Sequence, residues 1–189
     1  MLAVTGTYRY CVDECDSITQ VSEMWLAFAR ENGAPQLTSS YVVGKSLWDF
    51  VAVKLLRDLY SAVHAKVRAE GQPAVIQFRC DSPSLRRHMR MTIRSLTAGH
   101  LEYSCVLLQS EPQAELKLID VQQSNSEEWV TMCSICKRGL LESIGWLEAI
   151  DFATRLRLFE KSELPRVRHN LCPSCAKSLE EIATNGNAA

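Results

Sequence analysis

Cys133-Ser-Ile-Cys136, a spacer of 35 residues, then Cys172-Pro-Ser-Cys175: the rest of the sequence is read outward from these two turns. Two residues between cysteines let both thiolates of a turn reach one ion about 2.3 Å from each sulfur, and two such turns complete a tetrahedron. The pattern predicts a structural zinc site with Cys133, Cys136, Cys172 and Cys175 as ligands. A catalytic zinc keeps one position open for water, and four cysteines leave none. His169, three residues before Cys172, is a candidate to replace one cysteine or to donate from behind the ligands. The same four sulfurs can instead hold an iron–sulfur cluster, or oxidise to two disulfides as a redox switch. Paired turns at wide separation are commonest as zinc ribbons and knuckles, which favours zinc. Four thiolates outweigh the charge of the ion, so backbone N–H groups in the turns, with Lys137 and Arg138 beside them, are expected to offset the excess.

The surrounding module, residues 129–184, has about 55 residues and a core too small to be more than marginal alone. Bound zinc adds an apparent 10 to 16 kcal/mol or thereabouts at neutral pH, so the module is expected to fold only with metal. Within it Trp129 to Met132 reads as a strand, Lys137-Arg-Gly139 as a turn and Gly145-Trp-Leu as a return strand. Ala149 to Phe159 reads as a helix burying Ile150, Phe152, Ala153, Leu156 and Phe159. Pro165 closes a loop, and Pro173 opens a last helix through Leu179 and Ile182.

Upstream, Tyr8 to Asp13 alternates as a strand, Asp13 to Ser17 turns, and a second strand runs into a short helical stretch that ends near Gly33. Cys11 and Cys15 flank that turn as buried or half-buried thiols. Residues 34 to 53 form a loop in which Ser46 caps a short helix turning Leu47, Trp48 and Phe50 inward. Val53 to Glu70 is an amphipathic helix with Leu56, Leu59, Tyr60, Val63 and Val67 on one stripe, and His64 stands beside it as a boundary residue. Three strands follow, from Ala74, from Arg86 and from Leu101 to Leu108. The middle one places Arg86, His88, Arg90, Thr92 and Arg94 on a solvated face and Arg87, Met89, Met91 and Ile93 on the other, with the methionines in the core. A linker covers 111–128, and its apolar patch Leu116 to Ile119 is expected to dock on the sheet.

The 189 residues, 47% apolar and 23% charged with net charge -1, fit a soluble globule without bulk attraction for nucleic acid or anionic membrane. The start lacks the features of a signal peptide and no stretch matches a membrane span, so a cytoplasmic protein is expected. In that reducing compartment eight cysteines do not form a disulfide framework.

The order strand, strand, short helices, long helix and three antiparallel strands over residues 8–110 resembles a PAS sensor domain. Trp25-Leu-Ala-Phe-Ala-Arg-Glu-Asn-Gly-Ala-Pro, Gly44-Lys-Ser-Leu-Trp-Asp-Phe and Phe78-Arg-Cys-Asp-Ser-Pro look like bacterial stand-alone PAS proteins. Cys133-Ser-Ile-Cys136-Lys-Arg, Trp146 and His169-Asn-Leu-Cys172-Pro-Ser-Cys175 resemble the cysteine-rich tail that follows PAS domains in some bacterial signalling proteins. The resemblance implies an α+β chain: a five-stranded antiparallel sheet with helices on one face, then a small module of zinc-ribbon or knuckle type. It implies sensing or protein interaction and supplies no cofactor. The cysteine motif of flavin-photoadduct PAS domains is missing, and an axial haem ligand would have to be His64, His88 or His100.

The resulting expectation is a non-enzymatic cytoplasmic signalling protein. A PAS-like domain binds an unidentified small molecule or a partner, and a zinc module presents a protein-binding surface, with homodimerisation a further expectation from the resemblance. The alternatives are a nucleic-acid-binding regulator using Lys137, Arg138, Arg155, Arg157, Arg166 and Arg168, and a redox or iron sensor. No set of nucleophile, base and oxyanion donor can be assembled for an enzyme.

Overall fold

The computed structural model describes residues 6–119 and 124–185. It is a mixed α+β structure with a five-stranded antiparallel sheet followed by a smaller four-stranded one. Strand β1 (Thr7–Val12) and β2 (Ile18–Val21) pair around the expected turn, where Asp13 Oδ1 accepts from the N–H groups of Cys15 and Ser17. Helix α1 (Glu23–Glu31) starts at Ser22, whose Oγ accepts from Trp25 N. A short helix α2 (Ser39–Val42), capped by Thr38, occupies the segment read as loop. The single turn Leu47–Phe50 is capped by Ser46 as expected and buries Leu47, but Phe50 is exposed because one 3₁₀ turn is too short to direct all three large residues inward.

Helix α3 (Lys54–Glu70) follows, ended by Gly71 in the left-handed region with φ 71°. Then come β3 (Ala74–Arg79), β4 (Leu85–Ser95) and β5 (Leu101–Pro112), giving the spatial order β2-β1-β5-β4-β3. Met89, Met91 and Ile93 are buried while His88, Arg90 and Arg94 are exposed, as period two requires. A bulge between His88 and Met89 lets β5 continue past the expected end.

The second sheet has the order β8-β7-β6-β9, built from β6 (Ser124–Cys133), β7 (Gly139–Leu141), β8 (Gly145–Leu147) and β9 (Leu164–Asn170). Helix α4 (Ala149–Arg155) crosses from β8 towards β9, and α5 (Pro173–Asn185) closes the described chain. Strand β9 was not expected, since Pro165 reads as a loop; at the start of an edge strand its missing donor is tolerated. Helix α4 is shorter than its periodicity, because Arg157 takes φ 55° and turns the chain, leaving Phe159 exposed. Gly139 has no side chain for a reason of contact: the Phe152 ring fills the place where a Cβ would lie.

Two apolar clusters result. Leu116 and Leu118 pack with Met132, Phe152 and Leu164, so this patch docks in the second sheet's core rather than on the first sheet. The larger cluster joins Val63, Val67, Ile76, Met91 and Tyr103 to Cys133, Ile135, Leu171, Cys172 and Leu179. Helix α5 packs on α3, and Arg79 N donates to Ile135 O at 2.8 Å, tying the first cysteine turn to the β3 edge.

His64 is not a boundary residue; only 1% of it is exposed. Its Nδ1–H donates to Asp16 Oδ1 at 2.7 Å and its Nε2 accepts from the Tyr103 hydroxyl. Arg68 donates to the same Asp16 oxygen and to the carbonyls of Asp13 and Gly99. Both imidazole nitrogens are thus engaged within the protein, and neither is presented as an axial ligand. Burial holds the imidazole below the ordinary histidine range, opposed by the Asp16 carboxylate and reinforced by Arg68. Above about pH 6.5 the ring is neutral in both folded and unfolded chains, and below it the unfolded chain binds the extra proton. Stability is therefore expected to fall on acidification from about pH 6.5, by at most roughly 1.4 kcal/mol per pH unit from this group. Urea unfolding across that range checks this, and a His64→Gln variant should lose that part of the slope.

Candidate metal centre

The four predicted sulfurs converge. Those of Cys133, Cys136, Cys172 and Cys175 all lie within 4.8 Å of one another, and Cys136 to Cys172 is 3.7 Å. Four sulfurs bound about 2.3 Å from one ion stand about 3.8 Å apart, so the cluster can hold a metal ion with little rearrangement.

The backbone explains the convergence. Strands β6 and β9 are parallel neighbours, and Cys133 stands opposite Asn170, so both cysteine turns leave the same end of the sheet. The first turn closes through Lys137 N to Cys133 O and Cys133 N to Arg138 O, with Lys137 at φ 62°. Ser134 N donates to Asn170 O at 2.8 Å and fixes one turn to the other. The second turn enters α5 with Pro173 first, as expected, so Cys172 and Cys175 sit at the helix N-terminus, where free N–H groups and the helix dipole favour anionic sulfur. Cys172 N itself donates to Cys133 Sγ at 3.4 Å.

The four cysteines could hold a cation, and they are electrostatically unequal. Hydrogen bonds from the Cys136 and Cys175 thiols and from nearby backbone N–H groups hold Cys133 well below the usual thiol range. The anion so formed pushes Cys136 up to about 11, and Cys175 is raised further by hydrogen bonding to Cys133 and Cys136. A cation bound by the four sulfurs would offset the charge of several thiolates at once.

Lys137 and Arg138 both serve the turn. Lys137 Nζ donates to Ser134 O at 3.2 Å. Arg138 Nε donates to Glu148 Oε1 at 2.8 Å; that carboxylate, and then the sulfurs of Cys136 and Cys172, hold the guanidinium charged. His169 is exposed and stands opposite Met132 on β9, outside the group of four sulfurs. Of the other cysteines, Cys11 is half-buried as expected, whereas Cys15 is exposed. Burial pushes the thiols of Cys80 and Cys105 up, the latter to about 12.

Sequence reasoning missed the residues that join this centre to the first sheet. Arg79, 7% exposed, donates through Nε and Nη2 to Asp81 and through Nη1 to Glu148 Oε2 at 2.8 Å. Arg86 lies 3.9 Å from the same Glu148 oxygen. The only signal in the sequence is an Arg and an Asp two apart at a strand end, which is too common to read.

Among the described residues no helix is long and apolar enough to cross a membrane. No protein-family model matches the chain, and no curated protein matches it at significance.

Proposed function

We propose that the chain is a non-enzymatic regulatory protein in which a PAS-like sensory or partner-binding domain is joined to a structural zinc module that presents a surface for protein interaction. The observation that carries this reading is the closed set of four cysteine sulfurs at the seam of the two sheets. The order of two strands, helices and three antiparallel strands supports the PAS-like part. Zinc suits a four-sulfur site with no position for water or substrate. In the first sheet the inner face is filled by the Tyr10–Tyr103 stack, His64 and Trp48, which favours contact with a partner over enclosure of a ligand. Homodimerisation and a cytoplasmic setting are part of the same proposal.

Elemental analysis of freshly purified protein, with an absorption spectrum of the same sample, tests it. One zinc per chain and no visible bands are the expected result. Iron with visible bands would replace this reading by a redox or iron sensor.

A second reading rests on one surface. Trp129, 52% exposed, has the guanidinium groups of Arg166 and Arg168 within 5.7 and 5.4 Å of its ring centroid, an arrangement on which a nucleic-acid base can stack. Residues 129–184 carry eight basic against seven acidic side chains, and Glu127 pairs with Arg166, so no basic field extends beyond that patch. Salt-dependent retardation of single-stranded RNA or DNA would establish it.

A further inference from the structure

The four sulfurs are not equally shielded. Cys133 and Cys172 are buried, while Cys136 and Cys175 are half-buried and lie on the wall of a surface groove of about 330 Å³. Phe78 and Met89 of the first sheet and the arginines at positions 79, 86 and 138 line the same groove. A centre that only holds a fold has no need of solvent access to its ligands.

We infer that Cys136 is a site of modification by hydroperoxides, at which oxidation discharges the metal. The inference rests on the zinc reading above. The Cys136 thiolate attacks one peroxide oxygen; the S–O bond forms, the O–O bond breaks, and hydroxide leaves. The Cys172 sulfur, 3.7 Å away, then attacks the sulfenic sulfur; the S–S bond forms and a second hydroxide leaves. Two thiolates lose two electrons, and one peroxide takes them up. The ion keeps only Cys133 and Cys175 and is released. Arg138 is the positioning residue. Its guanidinium is held by Glu148 and lines the same groove as Cys136 and Cys175, where it stabilises the departing hydroxide.

The experiment treats zinc-loaded full-length protein with one equivalent of hydrogen peroxide. Released zinc is read with a chromogenic chelator, and cysteines are mapped by alkylation before and after reduction. Expected are loss of one equivalent of zinc, protection of Cys136 and Cys172 until a thiol reductant is added, and zinc uptake on reduction. Arg138→Met, loaded to the same zinc content as the wild type, should release it about tenfold more slowly, the factor that corresponds to ~1.4 kcal/mol in the barrier. Zinc retained under excess peroxide would overturn the inference, as would release accompanied by oxidation elsewhere, for example at exposed Cys15. Protein purified without metal would instead overturn the zinc reading itself. Because both arms use the wild-type chain, a variant that fails to fold does not obscure the result.

Discussion

Removal of the metal is expected to unfold residues 124–185 and to strip the cover from the inner face of the first sheet. The small apolar cluster around Phe152 and Met132 stands alone against the chain entropy of the module. Loss of an apparent 10 to 16 kcal/mol, the typical contribution of a structural zinc, exceeds what a cluster of that size supplies. The loss should spread, because Cys133, Ile135, Leu171, Cys172 and Leu179 belong to the same buried cluster as Val63, Val67 and Ile76. Hydrogen exchange during titration with a strong chelator should show β6, β9 and α5 opening together, with α3 losing protection on the face that α5 covers. Cys172→Ser should reproduce the chelated state, since it removes one of the four sulfurs that could hold the ion. Retained protection after complete metal removal would show that packing alone holds the module.

Replacement of Arg79 by Met should cost about 3 to 5 kcal/mol, the range for breaking one half of a buried ion pair. The side chain of Asp81 is wholly buried, and its compensation is Arg79, with one further bond accepted from Arg87 N at 3.0 Å. The substitution also frees Glu148 from the β3 side, leaving it to Arg138 and Arg86. Urea unfolding measures the effect, and Arg79→Met combined with Asp81→Asn should recover part of the loss, because the neutral amide no longer buries a charge. A cost below about 1 kcal/mol would mean that water enters and solvates Asp81.

The clustering of four cysteines was legible because it is set up locally: two residues between sulfurs is a property of one turn, whatever the rest of the chain does. The alternation of β4 and the stripe of α3 were legible for the same reason. What was not legible depends on partners distant in sequence. His64 reads as a boundary residue because nothing nearby reveals that Asp16 and Tyr103 will satisfy both its nitrogens. Pro165 reads as a loop because its tolerance depends on β9 lying at a sheet edge. Leu116 and Leu118 read as a patch for the nearest sheet, and they serve the later one. Arg79 looks like an ordinary strand arginine until Glu148 is brought beside it.

The packing of α5 on α3 sets a timetable for synthesis. Lys66 Nζ donates to Thr184 O, 118 positions later. At about 5 to 20 residues per second, some 6 to 24 seconds separate the emergence of these two partners from the ribosome. Throughout that interval the Val63 and Val67 side of α3 lacks its cover, and in its later part Cys133 and Cys136 have emerged without Cys172 and Cys175. The nascent chain is therefore most vulnerable to misassociation between the completion of its first sheet and the arrival of α5.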